Sequence, residues 1–278
     1  MDKETIEARL REHLSEAMVN NDISDWFVIA SNGSMNYGLD TEESDIDSKL
    51  LTIPSLKKLI DNKRDNYLHI MSDNGEHVEV KDVAVYMNTI LKQNINFVET
   101  LFAKGIIVNS KYQDEWKALI DNRDIIAHYD THRAVKCMYG MMIQKRKDMM
   151  TMTDGRRYSI ERIGYDAKSF HHIVRLYCFL ISYIIGCKYG DCLTDHIDIE
   201  YDMLMKSKMG EYDIDDAIYE ADSMIASAKR WVDGLCSRDV KDEEIHNRLN
   251  VKKIIDDVVY NVIKKSINNY RPRIEVYR

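Results

Sequence analysis

The stretch Gly33-Ser34-Met35-Asn36-Tyr37-Gly38-Leu39-Asp40-Thr41-Glu42-Glu43-Ser44-Asp45-Ile46-Asp47 lies between two apolar runs. Trp26-Phe27-Val28-Ile29-Ala30 precedes it, and Leu50-Leu51-Thr52-Ile53 closes the run that Asp45 opens. Both runs have strand composition, and Pro54 ends the second. Side chains two apart on a strand share a face. A strand over residues 45–53 therefore aims the Asp45 and Asp47 carboxylates together. Two aimed carboxylates are a way to hold Mg2+ for phosphoryl or nucleotidyl chemistry. The Gly33-Ser34 turn, for its part, offers backbone N–H groups and a hydroxyl to phosphate oxygens.

On the amino-terminal side, Ile6, Leu10, Leu14 and Met18 fall on one helical stripe over residues 4–21. On the carboxyl side the sequence predicts a short helix at 55–60 and strands at 67–71 and 77–81. Ser72-Asp73-Asn74-Gly75 forms the turn between those strands. From Asp82 onward helices are expected near 82–93, 96–103, 111–121, 130–150, 165–187, 213–236 and 241–268. Strand signals stop near Gly105–Lys111. The expected fold is α+β, a small β-sheet core over residues 1–108 followed by a larger all-helical domain over 109–278.

With 278 residues, 45% hydrophobic and 31% charged, the chain can bury a sizeable core. Eleven Gly and two Pro favour long regular elements over a sandwich of many turns. No apolar run is long enough to span a bilayer and no signal peptide opens the chain, so a cytoplasmic protein without a membrane partner is expected. The five cysteines lack CxxC spacing, which fits free thiols better than a disulfide framework or a zinc site. The net charge of −8 is concentrated in residues 1–110, with 11 Lys/Arg against 19 Asp/Glu, while the remainder has 28 of each. That balance argues against avid, non-specific duplex binding.

A metal pair of this kind usually needs a third carboxylate on a neighbouring strand. Glu76, Glu79 and Asp82 compete for the role. Val78 and Val80 alternate with Glu79, so burial of the valines turns Glu79 to the open face with Asp45 and Asp47. Asp82 shares the parity of the valines and opens a helical stretch, where a capping role suits it better. Glu76 has that same parity and lies in the turn. Ser34 is a candidate helix cap as well as a phosphate ligand, and Ser44 fixes the turn ahead of the Asp pair. Farther on, Lys168, His172 and Arg175 stand at i, i+4 and i+7, one polar stripe that suits a nucleotide phosphate or departing pyrophosphate. Residues 145–175 hold 8 Lys/Arg against 4 Asp/Glu, a local excess in a neutral half.

The run Gly33-Ser34-x-x-Tyr37-Gly38-Leu39-x-Thr41-x-x-Ser44-Asp45-x-Asp47 resembles the DNA polymerase β-like nucleotidyltransferase superfamily. More narrowly the chain is similar to the YcgL/RlaP-type nucleotidyltransferases of bacteria and phages. Asn94-Ile95-Asn96-Phe97-Val98-Glu99-Thr100-Leu101 resembles that family's Asn-Pro-Asn-x-x-Glu-x-Leu segment. Lys168, His172 and Arg175 match its Lys-x-x-x-His-x-x-Arg-Leu helix, and Lys208-Met209-Gly210-Glu211 its Lys-x-Gly-Glu element. Ile95 replaces the family's proline, and Lys49-Leu50 replaces its frequent Arg-Gly.

The resemblance implies a small mixed β-sheet core over residues 1–108 and a helical domain over 109–278 that completes the substrate cleft. It also implies a phage or bacterial enzyme that uses Mg2+, or Mn2+ in its stead, to transfer a nucleoside monophosphate from an NTP, ATP first, and release pyrophosphate. Asp45, Asp47 and Glu79 are the expected metal and catalytic set. Gly33, Ser34, Ser44, Lys168, His172 and Arg175 are the expected nucleotide contacts, with Lys208 and Glu211 bordering the cleft and Glu99 anchoring local structure. An RNA end, tRNA in particular, is the implied acceptor. Fold does not dictate acceptor, so a protein-adenylylating, toxin-like enzyme is an alternative. A catalytically idle nucleotide-binding regulatory module is another.

Overall fold

Alternation in two central strands divides the sheet between a helix on one face and the site on the other. The computed structural model describes residues 2–41, 44–63, 68–240 and 242–268. Helix α1 (Lys3–Asn20) precedes β1 (Asp25–Asn32), and a single 3-10 turn (Ser34–Tyr37) leads toward β2 (Asp47–Ile53) and α2 (Leu56–Ile60). A hairpin of β3 (Leu68–Met71) and β4 (His77–Asp82) is followed by α3 (Val83–Ile90), α4 (Ile95–Val98) and β5 (Ile106–Val108). Then come α5 (Gln113–Asp121), α6 (Arg123–His128), α7 (Thr131–Met149), α8 (Arg157–Ile163) and α9 (Ala167–Ile184). Helices α10 (Tyr189–Thr194), α11 (Asp198–Met209), α12 (Ile214–Cys236) and α13 (Asp242–Asn268) complete the chain's described elements.

The sheet is mixed, in the order β3-β4-β2-β1-β5. Only β2 and β4 run parallel; the other pairs are antiparallel. This is the expected α+β class, a small sheet region with a larger helical part.

On one face Ile29, Leu50, Val78 and Val80 pack against Ile6, Leu10 and Ala17 of α1. Asp2 caps that helix by accepting the Thr5 amide at 2.9 Å. Gly105 sits where β5 begins, and a Cβ built there would lie 2.2 Å from Ile6 Cγ2, so only glycine lets the chain pass under α1. On the opposite face Phe27, Leu51 and Ile53 join a core that continues through Tyr86, Met87 and Ile90 into the helical part. Helix α9 is its axis: α7, α11 and α12 all pack on it, and Phe170, Ile173, Val174 and Phe179 are fully or almost fully buried. Helix α13 returns to α3 and α5, and Ser266 Oγ donates to Asp25 Oδ2 at 2.9 Å.

Several elements differ from expectation. Strand β2 starts at Asp47 rather than Asp45. The expected helix over 96–103 is a four-residue α4, started by Asn94 whose side chain accepts the Asn96 amide, followed by a 3-10 turn (Glu99–Phe102). Strand β5 and helices α6, α8, α10 and α11 have no counterpart in the sequence expectations; most are too short to show a period, and α11 buries only Leu204 and Ser207. Tyr67 and Lys241, at the edges of an expected strand and helix, lie outside the described residues.

Candidate active site

A cleft of about 720 Å3 opens beside the ends of the strands. Gly33, Ser34, Thr41, Ser44, Asp45 and Asp47 line its sheet side. Lys168, His171, His172 and Arg175 from α9, with Lys208 and Met209 from α11, line the other. Nine residues nominated by sequence, Lys208 among them, thus meet at one place despite separations of more than a hundred residues.

The turn that opens the site is built on Gly33, whose φ of 95 favours glycine. A Cβ at Gly33 would stand 3.8 Å from Asp47 Oδ2, so the turn's backbone and that carboxylate share a small space. Ser34 is the first residue of the 3-10 turn; Gly33, not Ser34, is at its cap position and no side chain caps it. Ser44 Oγ accepts the Thr41 amide at 2.8 Å and closes a tight turn directly before Asp45.

Asp45 precedes the strand, so strand pleat does not set its direction. Instead, the amide of Ile46, between the two aspartates, donates to Glu76 Oε1 at 2.9 Å. Asp47 Oδ1 accepts the His77 amide at 3.2 Å. Neither aspartate forms an ion pair among the described residues.

The fates of the three rival acids follow from the two faces of the sheet. Asp82 is the N-cap of α3, its Oδ1 accepting the amides of Ala84 at 2.8 Å and Val85 at 3.2 Å. Glu76 is buried on the α1 face, paired with Arg9 Nε at 3.1 Å and His13 Nε2 at 3.0 Å. Glu79 pairs across the ladder with Lys49, on the face of Asp47, as parity predicts. Its Oε1, however, lies 2.9 Å from Lys81 Nζ, and Glu79 does not line the cleft. Among the described residues no group of three His, Cys, Asp or Glu side chains is gathered for a metal ion.

Beneath the cleft lies a buried charged layer that sequence reasoning missed, although Lys49 stands two residues beyond Asp47 on the same strand. Lys49 Nζ donates to Asn96 O and lies 3.4 Å from Glu99 Oε1. Burial pushes the Lys49 ammonium down to about 8, against the pull of Glu79. Burial likewise pushes the Glu99 carboxyl up to about 7, opposed by Arg175. Tyr37, itself buried, donates its hydroxyl to Glu99 Oε2.

The α9 stripe presents more than cations. Lys168 is exposed at the rim. Burial, reinforced by Arg175, holds His171 down to about 3 and His172 well below its usual value, so both imidazoles are neutral near pH 7. His171 Nδ1 lies 3.1 Å from Leu204 O, which fixes the proton on that nitrogen. The sequence pattern marked His172 and passed over its neighbour.

Lys208 reaches from the end of α11 to Leu39 O and, at 3.5 Å, to Ser44 Oγ, tying the helical part to the loop that carries Asp45. Burial lowers its pKa, against Asp40. Glu211 does not join it: beyond Gly210, which ends α11 with φ 69, the chain turns away and Glu211 lines a separate depression with Arg162 and Asp215.

No family model matches the chain, and no curated protein matches it significantly. No helix among the described residues is long and apolar enough to cross a membrane.

Proposed function

We propose that the chain is a Mg2+-dependent nucleotidyltransferase that moves a nucleoside monophosphate from an NTP, ATP first, to an acceptor hydroxyl and releases pyrophosphate. One observation carries this reading. Two carboxylates without ion-pair partners among the described residues, Asp45 and Asp47, line one wall of a cleft whose facing wall holds Lys168, Arg175 and Lys208. A polyanion with a bound cation is the ligand that satisfies both walls.

The donor set fits Mg2+, since both aspartates offer hard oxygen ligands beside backbone N–H groups of the Gly33 turn. Asp45 and Asp47 would hold the ion, with Glu79 as the adjacent carboxylate once it parts from Lys81. The ion's chemistry there is to offset triphosphate charge and make the acceptor hydroxyl more acidic. Gly33 and Ser34 bind phosphate oxygens, and Arg175 and Lys168 offset charge on the leaving pyrophosphate. The neutral His171 and His172 supply hydrogen bonds rather than charge.

A second reading has one observation behind it. The Glu79–Lys81 pair, with no three-ligand group gathered among the described residues, suits an idle module that binds nucleotide without turnover. An RNA end, tRNA first, is our favoured acceptor and a protein hydroxyl the second. Incubation with each α-labelled NTP and a cell extract, followed by separate nuclease and protease digestion, tests all three. Nuclease-sensitive label supports RNA, protease-sensitive label a protein acceptor, and binding without label the idle module.

A further inference from the structure

Glu76 was one of three acids eligible for the metal site by sequence, yet its carboxylate lies behind the strand. Both oxygens are used. Oε1 accepts the Ile46 amide at 2.9 Å, and Oε2 meets Arg9 Nε at 3.1 Å and His13 Nε2 at 3.0 Å. A carboxylate paired with Arg9 accepts, so His13 donates to it from Nε2, and His13 Nδ1 lies 2.9 Å from Ser48 Oγ. His13 is fully buried and Glu76 nearly so, and with Ser48 and Arg9 they form one network that reaches the surface through Arg9 and its partner Glu12.

Its contacts with the backbone are what matter. The Ile46 amide lies between Asp45 and Asp47, and Ser48 follows Asp47. The next residue after Glu76 completes the grip, because the His77 amide donates to Asp47 Oδ1 at 3.2 Å. The turn that presents both residues is itself fixed: Ser72 Oγ accepts the Glu76 amide at 3.0 Å, and the Ser72 amide donates to Glu76 O at 2.8 Å. Without this clasp Asp45 would hang on a loop that no strand pairing reaches.

We propose that Glu76 is a positioning residue. Through the Ile46 amide, and braced by Arg9 and His13 of α1, it sets the direction of the Asp45 and Asp47 carboxylates toward the cleft. This rests on the reading of those aspartates as cation ligands. Residues that orient metal ligands from behind are worth roughly 10- to 100-fold in metal affinity.

The test uses Mn2+ alone as the probe, with binding followed by its electron paramagnetic resonance signal, and hydrogen exchange at the Ile46 amide. Three variants are compared with the unmutated chain: Glu76→Ala, Glu76→Gln and Leu10→Ala. Leu10 lies in the same α1–sheet interface but its side chain makes none of the clasp's hydrogen bonds, so it reports general loosening. Glu76→Gln retains an oxygen for the Ile46 amide and keeps Mn2+ affinity within roughly threefold, with Ile46 still protected. Glu76→Ala weakens Mn2+ binding by roughly 10-fold or more and exposes Ile46, whereas Leu10→Ala does neither. Equal weakening in Glu76→Ala and Leu10→Ala, or unchanged affinity in Glu76→Ala, overturns the positioning role while leaving the cation site standing. No Mn2+ binding by the unmutated chain overturns the cation site itself, and the positioning role with it.

Discussion

The guanidinium carbon of Arg175 lies 3.8 Å from the centre of the Tyr37 ring, so an α9 cation sits over an aromatic ring of the turn after β1. A guanidinium over a ring still presents a fixed fork of N–H donors to phosphate oxygens, which a lysine ammonium lacks. Arg175→Lys should therefore raise the KM for NTP, and Arg175→Ala should lower kcat by roughly 100-fold, the cost of removing one charge-stabilising donor. Steady-state kinetics on both variants checks this. Equal, small effects would show that Arg175 serves the Tyr37 contact alone.

The buried ionisable groups near Arg175 pull pH dependence in opposite directions. His171 is held down to about 3, so the unfolded chain takes up a proton that the folded one refuses. Its contribution is complete above the ordinary histidine pKa and is lost as pH falls toward 3, with a slope approaching about 1.4 kcal/mol per pH unit. Denaturant unfolding at several pH values between 5 and 7 should show less acid sensitivity in His171→Asn than in the parent.

Glu99 has the opposite sign. Its folded carboxyl keeps a proton up to about 7, whereas the unfolded one loses it near its ordinary value of 4.5. The stability this confers is complete below 4.5 and is lost as pH rises through 7. In the same unfolding series Glu99→Gln should gain stability, relative to the parent, as pH rises from 5 to 7. A parallel shift of the whole curve, without change of slope, would contradict the assignment.

Gly105 tests the contact between α1 and the sheet. With Ile6 Cγ2 2.2 Å from the place a Cβ would occupy, Gly105→Ala must displace the helix, at a cost of about 1–3 kcal/mol. Ile6→Ala alone removes buried apolar surface and also destabilises. The double variant should cost less than the sum of the two, because the second change removes the clash of the first. Additive losses in a thermal or denaturant double-mutant cycle would place the strain elsewhere.

Much of the sheet was legible because alternation is a local property. Val78 and Val80 faced α1, and the same parity put Glu79 on the face of Asp47. Asp82 capped α3 as its place before a helical run implied. What the chain concealed depends on tertiary partners. Strand β5 is three residues long and exists because β1 pairs with it. Glu76 looked like a turn acid until the α1 residues Arg9 and His13 came within reach. Lys49 read as a departure from a family pattern and proved to be a buried partner of Glu99. Glu211 followed Lys208 closely in sequence, but the left-handed Gly210 separates their directions.

The central claim is that Asp45 and Asp47 hold the cation for nucleotidyl transfer. Transfer of label from an α-labelled NTP to the acceptor, compared among the parent, Asp45→Asn and Asp47→Asn, tests it most directly. Each substitution removes a negative oxygen ligand with almost no change of shape, so thermal unfolding should stay near that of the parent. Label transfer should be lost in both variants. Undiminished transfer by either one, in a folded protein, would contradict the account.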